Sequence, residues 1–151
     1  LQITDINIVN GLNNARLAGR MQVLQNSPEI VLDVAHNPHS AEYLVEKVKR
    51  QYADKNIHVV VAMLHDKDIK ATIEALSSIA TQWYPSSLTG PRAATAEELC
   101  QHLPQGQVQF QTPVEAFEDA KIHVTQDDVI LVVGSFHTVG EVLEHWQSNN
   151  E

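Results

Sequence analysis

At 151 residues the chain is long enough to bury a sizeable core without disulfides or a structural metal, and its 43% hydrophobic content excludes a disordered chain. Ten Lys and Arg against nineteen Asp and Glu give a formal net charge of -9, a surface that repels phosphate backbones and excludes nucleic acid as a partner. One cysteine, Cys100, rules out an internal disulfide or a cysteine-built zinc site and suits a reducing cytoplasm, and no apolar run nears the roughly 20 residues of a membrane span.

The chain opens on Leu1 and runs straight into a helical pattern over Ile3 to Leu12, as a piece of a longer protein would. Arg16 and Arg20 flank Gly19, and a weak strand is expected from Met21 to Leu24. Ile30 to Val34 is short, β-branched and apolar with no polar alternation, the pattern of a strand covered on both faces. Asn37-Pro38 is an N-cap followed by proline in the first turn, and Ala41, Leu44, Val45, Val48 and Tyr52 then recur at helical spacing. A second buried strand is expected over Val59 to Leu64, and a second helix on Ile69, Ile73, Leu76 and Ala80.

Further on, Ile79 to Tyr84 forms a weak strand signal and Tyr84 to Pro91 is turn-rich. Thr95-Ala96-Glu97-Glu98 and Thr112-Pro113-Val114-Glu115 each have the form of a capping box, with a weak strand from Val108 to Gln111 between them. Val129 to Val133 is the third wholly apolar strand, and Val139, Val142, Leu143 and Trp146 mark the last helix. This alternation predicts a single α/β domain over residues 1 to 151. Its expected form is Rossmann-like with three layers, a mainly parallel sheet of about six strands flanked by helices.

In such sheets ligands bind beyond the C-terminal strand ends, which singles out the loops at 33–38, 65–68 and 134–137. Asp33 ends an apolar strand, where its carboxylate can accept from a ribose hydroxyl pair or from the amides of its own loop; spacing does not choose. His36 and Asn37 stand at a helix start, whose N–H groups favour an anion, with His36 as a donor; the plainer roles are a cap for Asn37 and a solvated loop residue for His36. His36-x-x-His39 has no third ligand to make a metal pair. Gly134 permits close backbone approach, and Ser135 can bond a carboxylate or cap the last helix, the cap being favoured by spacing. Arg20 can reach a phosphate or form a surface ion pair. Lys67 and Arg92 are a solvated helix start and a loop anchor, and His137 is a structural residue of the first helical turn. The chain contains no Gly-x-x-x-x-Gly-Lys-[Ser/Thr] phosphate loop, no Gly-x-Gly-x-x-Gly and no carboxylate cluster to cage magnesium.

Residues 18–22 (Ala-Gly-Arg-Met-Gln), 32–41 (Leu-Asp-Val-Ala-His-Asn-Pro-His-Ser-Ala) and 133–140 (Val-Gly-Ser-Phe-His-Thr-Val-Gly) resemble the bacterial folylpolyglutamate synthase/dihydrofolate synthase family of the Mur ligase superfamily. Segments 62–68 and 90–94 are also similar, and the likeness runs through nearly the whole chain in order. Ala18 departs from the proline expected before Gly19-Arg20, and Val34 stands where some relatives have glycine.

The resemblance implies the C-terminal domain of an ATP-dependent ligase. Such a ligase phosphorylates a carboxylate of folate or dihydropteroate and joins L-glutamate to it through an acyl phosphate, with Mg2+ aligning the phosphates. It also implies an N-terminal ATPase domain, outside these residues, that carries the phosphate loop and the magnesium ligands. Carried onto this sequence, Arg20 reaches the ATP phosphates, Asp33 the ribose and His36 the incoming glutamate or acyl phosphate, beside Asn37. Ser135 holds glutamate's carboxylate. A stand-alone anion- or nucleotide-binding module is the reading the motif order disfavours.

Overall fold

The computed structural model describes residues 19–150; the helix expected over Ile3 to Leu12, and Arg16, lie outside them. The elements in chain order are β1 (Gln22–Asn26), β2 (Glu29–Asp33), α1 (Pro38–Gln51), β3 (Ile57–Val61), α2 (Ile69–Leu76), β4 (Gln82–Pro85), α3 (Ala96–Cys100), α4 (Pro113–His123), β5 (Val129–Val133) and α5 (Phe136–Asn149). They build one five-stranded sheet in the order β1-β2-β5-β3-β4, parallel except for β1, which pairs antiparallel with β2.

Among the described residues the sheet has five strands, against about six expected. Val108 to Gln111 does not form a strand: Phe110 makes a single parallel bridge to Ser86, beside the outer edge of β4. The signal at Ile79 was also split. Ile79 and Ala80 donate their N–H groups to Leu76 O, finishing the turn after α2, and β4 begins only at Gln82.

The sheet is apolar on both faces because it is covered on both. Val31, Val59, Val61, Leu131 and Val133 point to the side packed by α1 and α2, against Leu44, Val48, Ile73 and Leu76. Their neighbours Ile30, Leu32, Val60, Ile130 and Val132 point to the other side, against Phe117 and Ala120 of α4 and Val139 and Val142 of α5. The period-two alternation of a strand thus feeds two separate cores, and no polar phase is left for water.

The chain order decides which helix lies where. From β2 the chain crosses to β3 and β4 through α1 and α2 on one face. It then doubles back into the gap between β2 and β3, so α4 lies on the opposite face, as right-handed crossovers require. α5, which follows β5, stays on that second face. Neighbouring strands β2 and β5 therefore send their following helices to opposite faces, which opens a crevice between their C-terminal ends. Such a switch point is where open α/β sheets hold ligands.

A candidate acid- and nucleotide-binding edge

Asp33 and Val133 are paired in register as the last residues of β2 and β5, so the loops beginning at Val34 and Gly134 leave the sheet side by side. Asp33, His36, Asn37 and Ser135 thus gather at one sheet edge. Gly134 makes the approach possible. Its φ of +130° suits glycine, and a Cβ there would overlap the carbonyl oxygen of Ala62, beyond the end of β3.

Asp33 is only 7% exposed. Its Oδ1 accepts the Ala35 N–H at 2.9 Å and its Oδ2 the Met21 N–H at 3.1 Å. The loop-capping role is therefore filled, and each oxygen keeps one further acceptor position. Burial pushes the Asp33 pKa above its ordinary value, against the pull of the two N–H groups and of Arg20 and Lys47. Met21 bridges to Asp33 from a left-handed backbone, φ +49°, and Val34 N–H donates to Gly19 O at 2.6 Å. These two ties bring Arg20, which is exposed, to the end of β2. Sequence reasoning missed Met21, since nothing in a methionine signals that its amide will hold a carboxylate twelve residues away.

Asn37 caps α1 with its side chain on Ser40 N–H at 2.8 Å, and Ser40 Oγ returns to the Asn37 N–H at 3.3 Å, a reciprocal box. Ser40 Oγ also takes the His36 N–H at 3.2 Å. His36 Nδ1 lies 2.9 Å from Val34 O. A carbonyl only accepts, so Nδ1 carries a proton and Nε2 is the atom left for chemistry. In its neutral form His36 therefore accepts through Nε2, and it donates outward only once protonated, a change from the donor expected at this position.

Ser135 is 4% exposed and caps α5: its Oγ takes the Thr138 N–H at 3.0 Å and meets Thr138 Oγ1 at 2.8 Å. Thr138 Oγ1 in turn donates to Ala62 O at 2.7 Å, so α5 is tied to the end of β3 as well as to β5. The hydroxyl proton of Ser135 is committed to Thr138, and what the serine presents to the crevice is the start of the helix it caps. His137 is exposed on that first turn. Arg92 anchors its loop by two bonds to Asp66 Oδ2, at 3.0 and 2.8 Å. Thr112 caps α4 through Glu115 N–H, but Glu115 Oε1 accepts from Gln111 N–H, one residue before the cap, so that box is not reciprocal. Among the described residues no three His, Cys, Asp or Glu gather as metal ligands, and no helix is long and apolar enough to cross a membrane.

A doubly covered, mainly parallel sheet with a carboxylate, an imidazole and two helix starts at its switch point has the architecture of a doubly wound α/β domain. The chain belongs to the Mur ligase glutamate ligase domain family, whose model matches residues 19–136. It is 42% identical over 144 residues to the dihydrofolate synthase/folylpolyglutamate synthase of Escherichia coli, a match covering 95% of this chain and 34% of that protein. The E. coli FolC structure in complex with DHPP and ADP superposes with a TM-score of 0.86 at 40% identity, over 98% of this chain and 36% of that one. A bifunctional folylpolyglutamate synthase/dihydrofolate synthase solved with Mn, AMPPNP and L-glutamate bound gives 0.84 at 41%, over 95% and 35%. The chain thus spans about a third of the length of the relatives it matches.

Proposed function

We propose that these residues form the C-terminal domain of a cytoplasmic ATP-dependent ligase that joins L-glutamate to dihydropteroate or folates through an acyl phosphate. In this reading residues 1 to 151 are one domain. An N-terminal ATPase domain of the same protein supplies the phosphate loop and the ligands of Mg2+, an ion whose chemistry is to neutralise and align the phosphates. The observation that supports the reading is the register of Asp33 with Val133, which sets the loop of His36 and the capped start of α5 after adjacent strand ends. Likeness to relatives bound to ADP, to AMPPNP with Mn, to DHPP and to L-glutamate supports the choice of ligands.

Each residue then has a task that its contacts allow. Asp33, held rigid by two N–H groups, accepts the ribose hydroxyls on its remaining lone pairs, and Arg20 beside it reaches the phosphates. His36 offers Nε2 to the incoming amine, taking a proton from the nitrogen as it attacks the acyl phosphate. Asn37 and Ser135 hold two helix starts at the edge, and the first-turn N–H groups of α5 receive glutamate's carboxylate.

In the full-length enzyme, Asp33→Ala and His36→Ala should each lower kcat/KM by the equivalent of about 2 to 4 kcal/mol of transition-state stabilisation. Loss of Asp33 should appear chiefly in the KM for ATP, and loss of His36 in kcat. Wild-type kinetics from both variants would overturn the site. The 151-residue chain alone should form no glutamyl product from ATP, glutamate and dihydropteroate; turnover by it would show that the ATPase half is not required.

A further inference from the structure

A second built cavity lies away from the switch-point edge, between β4, the segment that leads into Phe110, and α4. Its volume is about 390 Å³, within the range of small-molecule sites. Its walls are aromatic. The Tyr84 ring lies 6.4 Å from Phe110 and 6.4 Å from His123 between centroids, with Trp83 on the same strand. Its floor is polar but satisfied: buried His58 sets Nδ1 2.8 Å from the Tyr84 hydroxyl and Nε2 3.2 Å from Asp128 Oδ2. The carboxylate only accepts, so in the neutral ring Nε2 donates to Asp128 and Nδ1 accepts from Tyr84.

The acidic side chain of this lining is Asp119; His123, also in the lining, sets its Nδ1 2.8 Å from the Asp119 backbone O and 3.4 Å from Asp119 Oδ2. Asp119 stands at the rim with about a third of its side chain exposed, and among the described residues no Lys or Arg lines the cavity. Burial, then Asp119 and Asp128, push the Tyr84 hydroxyl up to about 12. Lys121, the lysine of α4, lies over Phe117 and Trp146 and is paired with Glu118.

We propose that this cleft binds a small planar organic cation, of the amidinium, guanidinium or protonated heteroaromatic class, stacked on the partly exposed ring of Phe110 and paired with Asp119. Aromatic faces attract cations through their quadrupole, and a carboxylate without a neighbouring Lys or Arg adds a direct charge partner. A neutral ligand of the same shape gains the stacking and loses both of these. None of the residues that make this site belongs to the crevice at Asp33 and Ser135, so it stands or falls separately from the proposed ligase activity.

The chain contains two tryptophans, Trp83 and Trp146, so Trp146→Phe leaves a single fluorophore in the cleft wall. In that background, benzamidinium should change the Trp83 emission saturably, and benzamide, its neutral isostere, should bind about tenfold more weakly. Asp119→Asn should narrow the difference between the two affinities, leaving the part that the aromatic ring supplies. Phe110→Leu, which keeps the apolar volume and removes the ring, should weaken benzamidinium more than benzamide. Circular dichroism verifies that each variant is folded. No saturable change, equal affinities for the two compounds, or an undiminished preference in Asp119→Asn would each overturn the proposal.

Discussion

Asp128 and Asp33 are both buried carboxylates, and their surroundings drive them in opposite directions. Burial raises each, but at Asp128 the Thr125 amide and His58 outweigh it, and its pKa falls below the ordinary 3.8. A depressed folded-state pKa makes a contribution that is present above 3.8 and is lost as pH falls through the folded value. Asp33 is raised, so it opposes folding as pH climbs from 3.8 through its own folded value and favours the protonated form below. Asp128→Asn should cost about 1 to 3 kcal/mol near neutrality, since it disturbs a buried bond to His58 and the Thr125 N–H. The same variant should flatten the acid limb of stability. Urea midpoints at pH 7 and about pH 3 test this, and an unchanged difference between them would remove Asp128 from the account.

At the scale of elements, the helices begin where side chains meet the first-turn amides. Asn37, Asp68, Thr95, Thr112 and Ser135 each accept from the N–H three residues on. Asn37→Ala should cost about 1 kcal/mol, and because Ser40 loses its partner, the His36 loop should loosen with it. Hydrogen exchange at His36 and Ser40 measures the second effect; unchanged protection there would show that the cap and the loop are independent. The strands behave differently. β5 is buried along its whole length and needs no cap, because both of its edges and both of its faces are occupied.

For the whole molecule, the return of β5 to the middle of the sheet is the decisive event. It makes β2 and β5 neighbours, sends α1 and α5 to opposite faces, and so creates the crevice. Gly134 is where this closure is tightest. Gly134→Ala demands both a left-handed φ and displacement of the Ala62 carbonyl, which also anchors Thr138. It should destabilise the domain by about 2 to 4 kcal/mol, read from urea unfolding. A loss below that range would mean that β3 and β5 can separate at their ends without cost.

Much of this was legible in the sequence because it depends on local rules. Three apolar strands, their helical partners, the caps at Asn37, Thr95 and Ser135 and the placing of Asp33 and His36 on strand-end loops all follow from periodicity and capping chemistry. The residues at 108–111 show the limit. Their composition suits a strand, yet only Phe110 reaches the edge of β4, and pairing is a property of the neighbour as much as of the segment. Strand order, the amide of Met21 on Asp33, the proton held on Nδ1 of His36 and the His58–Asp128 bond join positions or orientations that no spacing rule connects. Sequence alone determined which segments would be strand, helix or cap, since those depend on side chains within a few residues. Tertiary structure decided which strand ends would be neighbours and which lone pairs would stay open, since burial and pairing are settled only when distant segments meet.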